Sequence, residues 1–222
     1  MTSPGGAGGR AVALATSPLV RAGGAVAIDL LDAVALNGLR AEVAVRWPQA
    51  TRAERAHHDD DTRGDPERSL EHIAAGPMLD RLYADWGLAG ALYELTNLEL
   101  RPLGEHAGYS IYNGQQHLGP HRDIEGCDVT VIVIVHDDTP DGHPLWFWPT
   151  RANAALDDIR RDPAPGRRTL IGRPGQAVVL LGSVVPHQLP PLPPGRTRVV
   201  APLCFGTGLQ HAECGPCRQP GR

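Results

Sequence analysis

The chain has 222 residues, of which 41% are hydrophobic, enough for one domain with its own core. Its formal charge of -4 offers no cationic footprint for nucleic acid or an anionic membrane, so the expected partner is a small molecule. All 21 basic residues are arginine, which excludes a Schiff-base lysine, pyridoxal attachment and a phosphate-loop lysine, and leaves arginine as the strong anchor for any carboxylate.

Residues 1–10 read as a disordered leader, because glycine at that density is entropically costly to order and offers nothing to bury. The stretch "AVALATSPLV" is short, is interrupted by Ser17-Pro18, and lacks a basic n-region and a convincing small-residue cleavage site, so no signal peptide is expected. No run approaches the roughly 18 apolar residues of a membrane helix, and a cytoplasmic protein follows. Residues 11–222 are expected to form a single domain.

From Val26 to Trp47, Leu30, Leu31, Val34, Leu39, Val43 and Val45 recur mostly at helical spacing, which predicts a helix ending at Trp47-Pro48. The charged "TRAERAHHDDDTRGDPERS" predicts an exposed loop, a lid without apolar anchors. A second helix is expected over "PMLDRLYADWGLAGALYEL", with Met78, Leu79, Leu82, Trp86 and Leu92 facing the core. Residues 26–97 are thus helical support.

After Leu98 the texture turns to short β-rich runs: "LELRPL", "YSIYN", "DVTVIVIV", "PLWFWPT", "RTLIG", "QAVVLLG" and "RTRVVAPLCF". Many short strands predict a sandwich or barrel over residues 98–206, and the uninterrupted "VTVIVIV" predicts a strand covered on both faces. Residues 207–222 read as a flexible tail. Its "HAECGPC" has the spacing of a thioredoxin redox motif, but that motif needs a strand-to-helix transition and only five residues follow. The four cysteines are too sparse for a disulfide framework.

His-x-Asp spacings occur at His57/Asp59, His58/Asp60, His121/Asp123 and His136/Asp138. The first two lie in the charged loop, where nothing fixes a geometry, and the last ends a strand in a polar turn. His121 and Asp123 differ, because they follow a Gly-Pro turn, precede the buried run, and are matched downstream by "GQAVVLLGSVVPHQL", an apolar strand that delivers His187. Two imidazoles and a carboxylate can occupy one face of an octahedral ion, leaving open the positions that Fe(II) oxygen chemistry needs.

On these motifs the chain resembles the Fe(II)- and 2-oxoglutarate-dependent oxygenase superfamily, in the pattern of its prolyl-hydroxylase-like members. "IYNGQQHLGPHRD", "DVTVIVIVHDD", "DGHPLWFWP" and "PGQAVVLLGSVVPHQLPPLPPGRTRVVAPLCF" are similar to the strands and turns of that family's core. The resemblance implies a mainly β fold with N-terminal helices, its core a double-stranded β-helix of the jelly-roll or cupin type. It implies Fe(II) held by His121, Asp123 and His187, with 2-oxoglutarate and O2 as co-substrates and release of succinate and CO2. It also implies an arginine on the last strand that binds the far carboxylate of 2-oxoglutarate. Arg196 and Arg198 both fit that place. Arg198 is preferred by counting back from "LCF", and Tyr112 is the expected aromatic contact.

Asp123 favours hydroxylation, desaturation or cyclisation, because related halogenases carry a small residue there. Tyr109, Gln116 and His117 approach the metal turn with packing or turn roles expected, Trp146 and Trp148 read as core aromatics, and Arg122 is expected to point away from the metal. The substrate expected is an amino acid or secondary metabolite. Two alternatives remain open, an iron oxygenase or oxidase of the same fold that does not use 2-oxoglutarate, and a non-catalytic cupin-like barrel that binds a metal or ligand.

Overall fold

The computed structural model describes residues 14–56, 65–103 and 107–207. The leader, the middle of the charged loop at 57–64 and the tail beyond 207 lie outside the described residues. After a short helix, α1 (Pro18–Arg21), the chain runs through β1 (Ala25–Asp29), α2 (Ala33–Arg46), β2 (Thr51–Arg55), β3 (Arg68–Ala74), α3 (Pro77–Tyr83) and α4 (Trp86–Thr96). It continues through β4 (Arg101–Pro102), β5 (Gly108–Asn113), β6 (His117–His121), β7 (Val129–Asp137), β8 (Pro144–Phe147) and α5 (Leu156–Arg161). The last strands are β9 (Arg168–Ile171), β10 (Gln176–Leu180), β11 (His187–Leu189) and β12 (Thr197–Gly206).

All described strand pairs are antiparallel and run in the order β1-β10-β7-β12-β5-β3-β6-β11-β8-β9, with β2 on β3 and β4 on β12. Because β3 pairs with both β5 and β6, it bridges a wall of β1, β10, β7, β12 and β5 to a wall of β6, β11, β8 and β9. The result is a nearly closed barrel, the expected jelly roll.

β7 shows why its sequence is so apolar. Val129, Val131, Val133 and Val135 point outward into the main core beneath the helices, where Leu39, Val43, Leu79 and Leu92 cover them. Thr130, Ile132 and Ile134 point into the barrel, Ile134 against Tyr112, Leu189 and Val200. A strand buried on both faces has no polar alternation to show.

One carboxylate ties two helices and the barrel together. Glu42 of α2 accepts from the amides of Gly76, Met78 and Leu79 at the start of α3, and from the Tyr109 hydroxyl of β5 at 2.6 Å. These bonds satisfy orphan donors of the helix N-terminus, where a negative charge is also favoured by the helix dipole.

Several local expectations are corrected. Residues 25–29 form β1 rather than the start of a helix, because they pair along β10, and α2 begins after its cap Asp32 accepts from Ala35 N at 2.8 Å. On α2, Leu39 and Val43 are buried, whereas Val34 and Val45 face solvent at 80% and 76% exposure. The ends of the charged loop form the β2–β3 hairpin, a polar edge of the kind that discourages strand addition. The second helix is two, broken where Asp85 caps α4. His117–His121, expected as a turn, is strand β6. Cys127 and Cys204 form a disulfide that joins the loop before β7 to β12, a pairing that spacing alone does not reveal.

Replacing Glu42 by alanine should cost about 2 to 3 kcal/mol, combining a lost cap with a buried tyrosine hydroxyl left unpaired. Urea unfolding of the variant checks this, and a loss within about 0.5 kcal/mol would show that the helices dock without it.

Candidate metal centre and cavity

β6 and β11 are antiparallel neighbours in which His121 stands directly opposite His187, so both rings project from one face. The ring centroids are 4.2 Å apart. Each Nδ1 lies against a backbone carbonyl two residues earlier, His121 on Gly119 O at 2.9 Å and His187 on Val185 O at 3.0 Å. A carbonyl can only accept, so Nδ1 carries the proton and Nε2 keeps its lone pair for an ion.

Asp123 follows β6 with its amide donating to Gly182 O. Its Oδ1 lies 3.5 Å from His121 Nε2 and 3.8 Å from His187 Nε2, while Oδ2 accepts from the Thr130 hydroxyl. Burial alone would raise the Asp123 carboxyl, but the neighbouring His187 and His121 and the Thr130 hydroxyl outweigh it and hold the group well below the usual carboxylate range. His187 is pushed down to about 4, chiefly by burial and then by His121, with Asp123 opposing. A carboxylate and a neutral His187 imidazole at neutral pH are the forms that bind metal.

The donor atoms of His121, Asp123 and His187 lie within 4.8 Å of one another, and among the described residues they form the one such group. Two imidazole nitrogens and one carboxylate oxygen on one side of a point, with a cavity on the other, fit a six-coordinate ion such as Fe(II) that keeps adjacent positions open. Gly182 is part of the fit: a β-carbon built there would overlap both Asp123 Oδ2 and Thr130 Oγ1.

The cavity beside the triad measures about 210 Å³ and runs along the barrel axis to Arg198 of β12. Its walls are mostly apolar, from Leu118, Ile132, Leu145, Val178, Leu189 and Val200, with Ser110, Tyr112 and Arg68 also lining it. Arg198 is 2% exposed and cross-strand to both Tyr112 and Asp137. Its Nη1 donates to Asp137 Oδ2 at 2.7 Å and to His143 O, while its buried Nε has no partner among the described residues. Burial pushes the guanidinium down and Asp137 opposes that shift most strongly. Burial also pushes the Tyr112 hydroxyl up to about 12, so it remains a donor.

The other expected residues divide clearly. Arg196 does not line the cavity; it lies just before β12 and donates to Asp138 O at 3.2 Å, because the strand begins only at Thr197. Tyr109 turns to Glu42, Gln116 accepts from Asn113 N, and His117 pairs with Glu67, so of these aromatic and polar candidates only Tyr112 reaches the cavity. Trp148 packs on Leu156 and Ile159 of α5, and Arg167 stacks over Trp146 at 4.3 Å. Arg122 points away from the triad to Ala152 O and Ala154 O. His136 and Asp138 line an outer groove beside α2, and His57, His58, Asp59, Asp60 and the Cys214/Cys217 motif lie outside the described residues.

Thr130, Asp137, Gly182 and Arg68 were not anticipated. Thr130 had a visible signal, being the one polar residue within an apolar run and on the inward alternation of β7. Asp137 looked like any turn acid, and its role depends on β12 lying alongside.

No family profile matches the sequence, and no curated protein is significantly similar to it. Solved structures do match. A Pseudomonas putida prolyl-4-hydroxylase superposes with a TM-score of 0.57 at 18% identity, over 89% of this chain and 97% of its own. HygX from Streptomyces hygroscopicus, solved with nickel, 2-oxoglutarate and hygromycin B bound, gives 0.61 at 14%, over 90% and 87%. SnoN, a non-heme α-ketoglutarate-dependent epimerase from nogalamycin biosynthesis, gives 0.63 at 15%, over 96% and 92%. The chain therefore has the double-stranded β-helix fold of the 2-oxoglutarate-dependent oxygenases.

Gly182→Ala should abolish tight metal binding with the β-sheet content unchanged, since the added carbon displaces the carboxylate rather than the strand. Co(II) titration followed by visible absorption checks it; wild-type affinity in the variant would mean that Asp123 is not held where the structure places it.

Proposed function

We propose that the protein is an Fe(II)- and 2-oxoglutarate-dependent dioxygenase that hydroxylates, or desaturates or cyclises, a small molecule such as an amino acid or secondary metabolite. The observation behind it is one apolar cavity with a His-Asp-His donor set at one end and a buried guanidinium at the other. The solved neighbours of this fold that hold 2-oxoglutarate, and one that also holds hygromycin B, support a small organic substrate. Bound here, iron, 2-oxoglutarate and O2 would supply decarboxylation of the co-substrate to succinate and CO2, and an oxidant for a C–H bond of the substrate.

The chain's own residues position and exclude. His121, Asp123 and His187 hold the ion by one side. Arg198 lines the cavity with Nη1 occupied by Asp137 and His143, and a carboxylate bound there would meet its guanidinium. The apolar walls keep water away, which strengthens each polar contact inside. No described helix is long and apolar enough to cross a membrane, and the location we propose is the cytoplasm.

One observation favours a second reading, an iron oxygenase or oxidase of the same fold without 2-oxoglutarate. Asp137 already neutralises Arg198, so a second carboxylate gains less there than at a lone arginine. The unpartnered Nε weighs against that reading, because a buried donor left unpaired costs about 1 to 3 kcal/mol until something accepts from it.

Succinate formation on anaerobic loading with Fe(II) and 2-oxoglutarate followed by O2 tests the proposal, and its absence across a panel of amino acids and secondary metabolites would favour the second reading. His121→Ala and His187→Ala should each abolish turnover with the fold intact, and full activity in both would sink the triad. Arg198→Ala should weaken 2-oxoglutarate by at least about two orders of magnitude, from the roughly 3 to 5 kcal/mol lost when one partner of a buried charge pair is removed. Arg196→Ala should cost about 0 to 1 kcal/mol. Since Arg198→Ala strands Asp137, the same titration is run on the double variant that adds Asp137→Asn. The reverse ranking moves the anchor to Arg196.

A further inference from the structure

The Cys127–Cys204 disulfide and the metal-binding carboxylate meet at one side chain. Thr130 and Cys204 are cross-strand partners on β7 and β12, Cys127 Sγ lies 3.2 Å from Thr130 Oγ1, and that hydroxyl donates to Asp123 Oδ2. A hydroxyl has a single proton and an ionised carboxylate can only accept, so the proton of Thr130 is committed to Asp123. Oδ2 is thereby withheld, and Oδ1, the oxygen facing both histidines, is left as the one ligand atom. Asp123 and Cys127 also belong to one loop, tied at Asp123 N to Gly182 O and at Cys127 to β12 through the disulfide.

We infer that Thr130 is a positioning residue for the metal-binding carboxylate and that the Cys127–Cys204 disulfide braces it, so that reducing the disulfide loosens the hold on the metal. The inference rests on the metal reading above and goes beyond it in making metal retention depend on redox state.

Reduction requires a dithiol. Cys127 is fully buried and Cys204 is partly exposed, so a reductant thiolate attacks the Cys204 sulfur and Cys127 leaves as a thiolate that takes up a proton. The second thiol of the reductant then displaces Cys204, giving two protein thiols and one cyclic disulfide, a transfer of two electrons and two protons. The new Cys127 thiol has a proton that the disulfide lacked. It faces an oxygen whose own proton is committed, so it donates to Thr130 Oγ1, which sharpens the pull of that hydroxyl on Asp123 and draws charge away from the ligand atom. At the same time the loop loses its tie to β12. Asp128 stays bonded to Thr207, so the loop relaxes at Cys127 without unfolding. Both effects weaken metal binding. In a reducing compartment a disulfide of this kind is transient and serves as a sensor more often than as a permanent staple.

The experiment is an anaerobic Co(II) titration by visible absorption on full-length protein, oxidised or treated with dithiothreitol and desalted, with thiols counted in each sample. Reduced wild type should bind Co(II) about tenfold more weakly, at the lower end of the 10 to 100-fold that partners of a metal ligand typically contribute. Thr130→Val, which keeps the β-branched shape, should lose about 10 to 100-fold in both states and shrink the redox difference to about twofold or less, while Thr130→Ser restores both. Cys204→Ala should match reduced wild type with or without dithiothreitol, which keeps the question answerable if Thr130→Val fails to fold. Equal Co(II) affinity in oxidised and reduced wild type overturns the inference, as does a folded Thr130→Val that binds within twofold of wild type. Wild type that binds no Co(II) in either state overturns the metal reading itself, and the inference with it.

Discussion

The site depends on one cross-strand pair, His121 of β6 against His187 of β11. β11 is only three residues long and could not persist alone; it is held between β6 and β8, and β6 is in turn held by β3, which closes the barrel. Two imidazoles are thus set 4.2 Å apart by backbone ladders rather than by their own side chains. That arrangement would be costly without support, since both rings are buried and each must satisfy its second nitrogen. The carbonyls of Gly119 and Val185 do so locally, two residues before each histidine, so correct strand pairing delivers ring orientation and tautomer together.

Charge in the cavity follows a second rule: each buried ion has a partner. Asp123 has Thr130 and the histidines, and Arg198 has Asp137 and the His143 carbonyl. A buried arginine without Asp137 would be an uncompensated charge in the barrel, so the pair keeps the protein stable. Arg68 at the cavity wall adds a second guanidinium, itself paired to Asp65 at 2.9 Å. The cavity is therefore suited to an anion without carrying a large positive potential of its own.

Much of this was legible in the sequence, for identifiable reasons. The triad could be read because each ligand adjoins an apolar strand, and the two-faced burial of β7 because alternation vanishes in "VTVIVIV". β1 was misread as helix because five residues that pair along β10 carry no period of their own, and the β2–β3 hairpin because charged edge strands look like loops. The roles of Thr130 and Asp137 and the Cys127–Cys204 bond were out of reach for a different reason, although the polar Thr130 stood out within its apolar run. Each acquires its role from a residue of β12 or of the metal loop, and such partners are set by topology, not by local pattern.

β7 is where these constraints converge, and its alternation separates them. The outward valines join the barrel to the helical layer, so changes there act on stability through packing. The inward series begins at Thr130 beside the metal ligand, passes Ile132 and Ile134 along the barrel interior, and the strand ends at Asp137 beside the guanidinium of Arg198. A one-residue register slip of β7 would exchange the two series, turning valines into the cavity and Thr130 into the core. Its pairing with β12, long and disulfide-tied near the Thr130 end, opposes that slip. The Thr130 end and the Arg198 end of the cavity are thus held in fixed register by the same ladder.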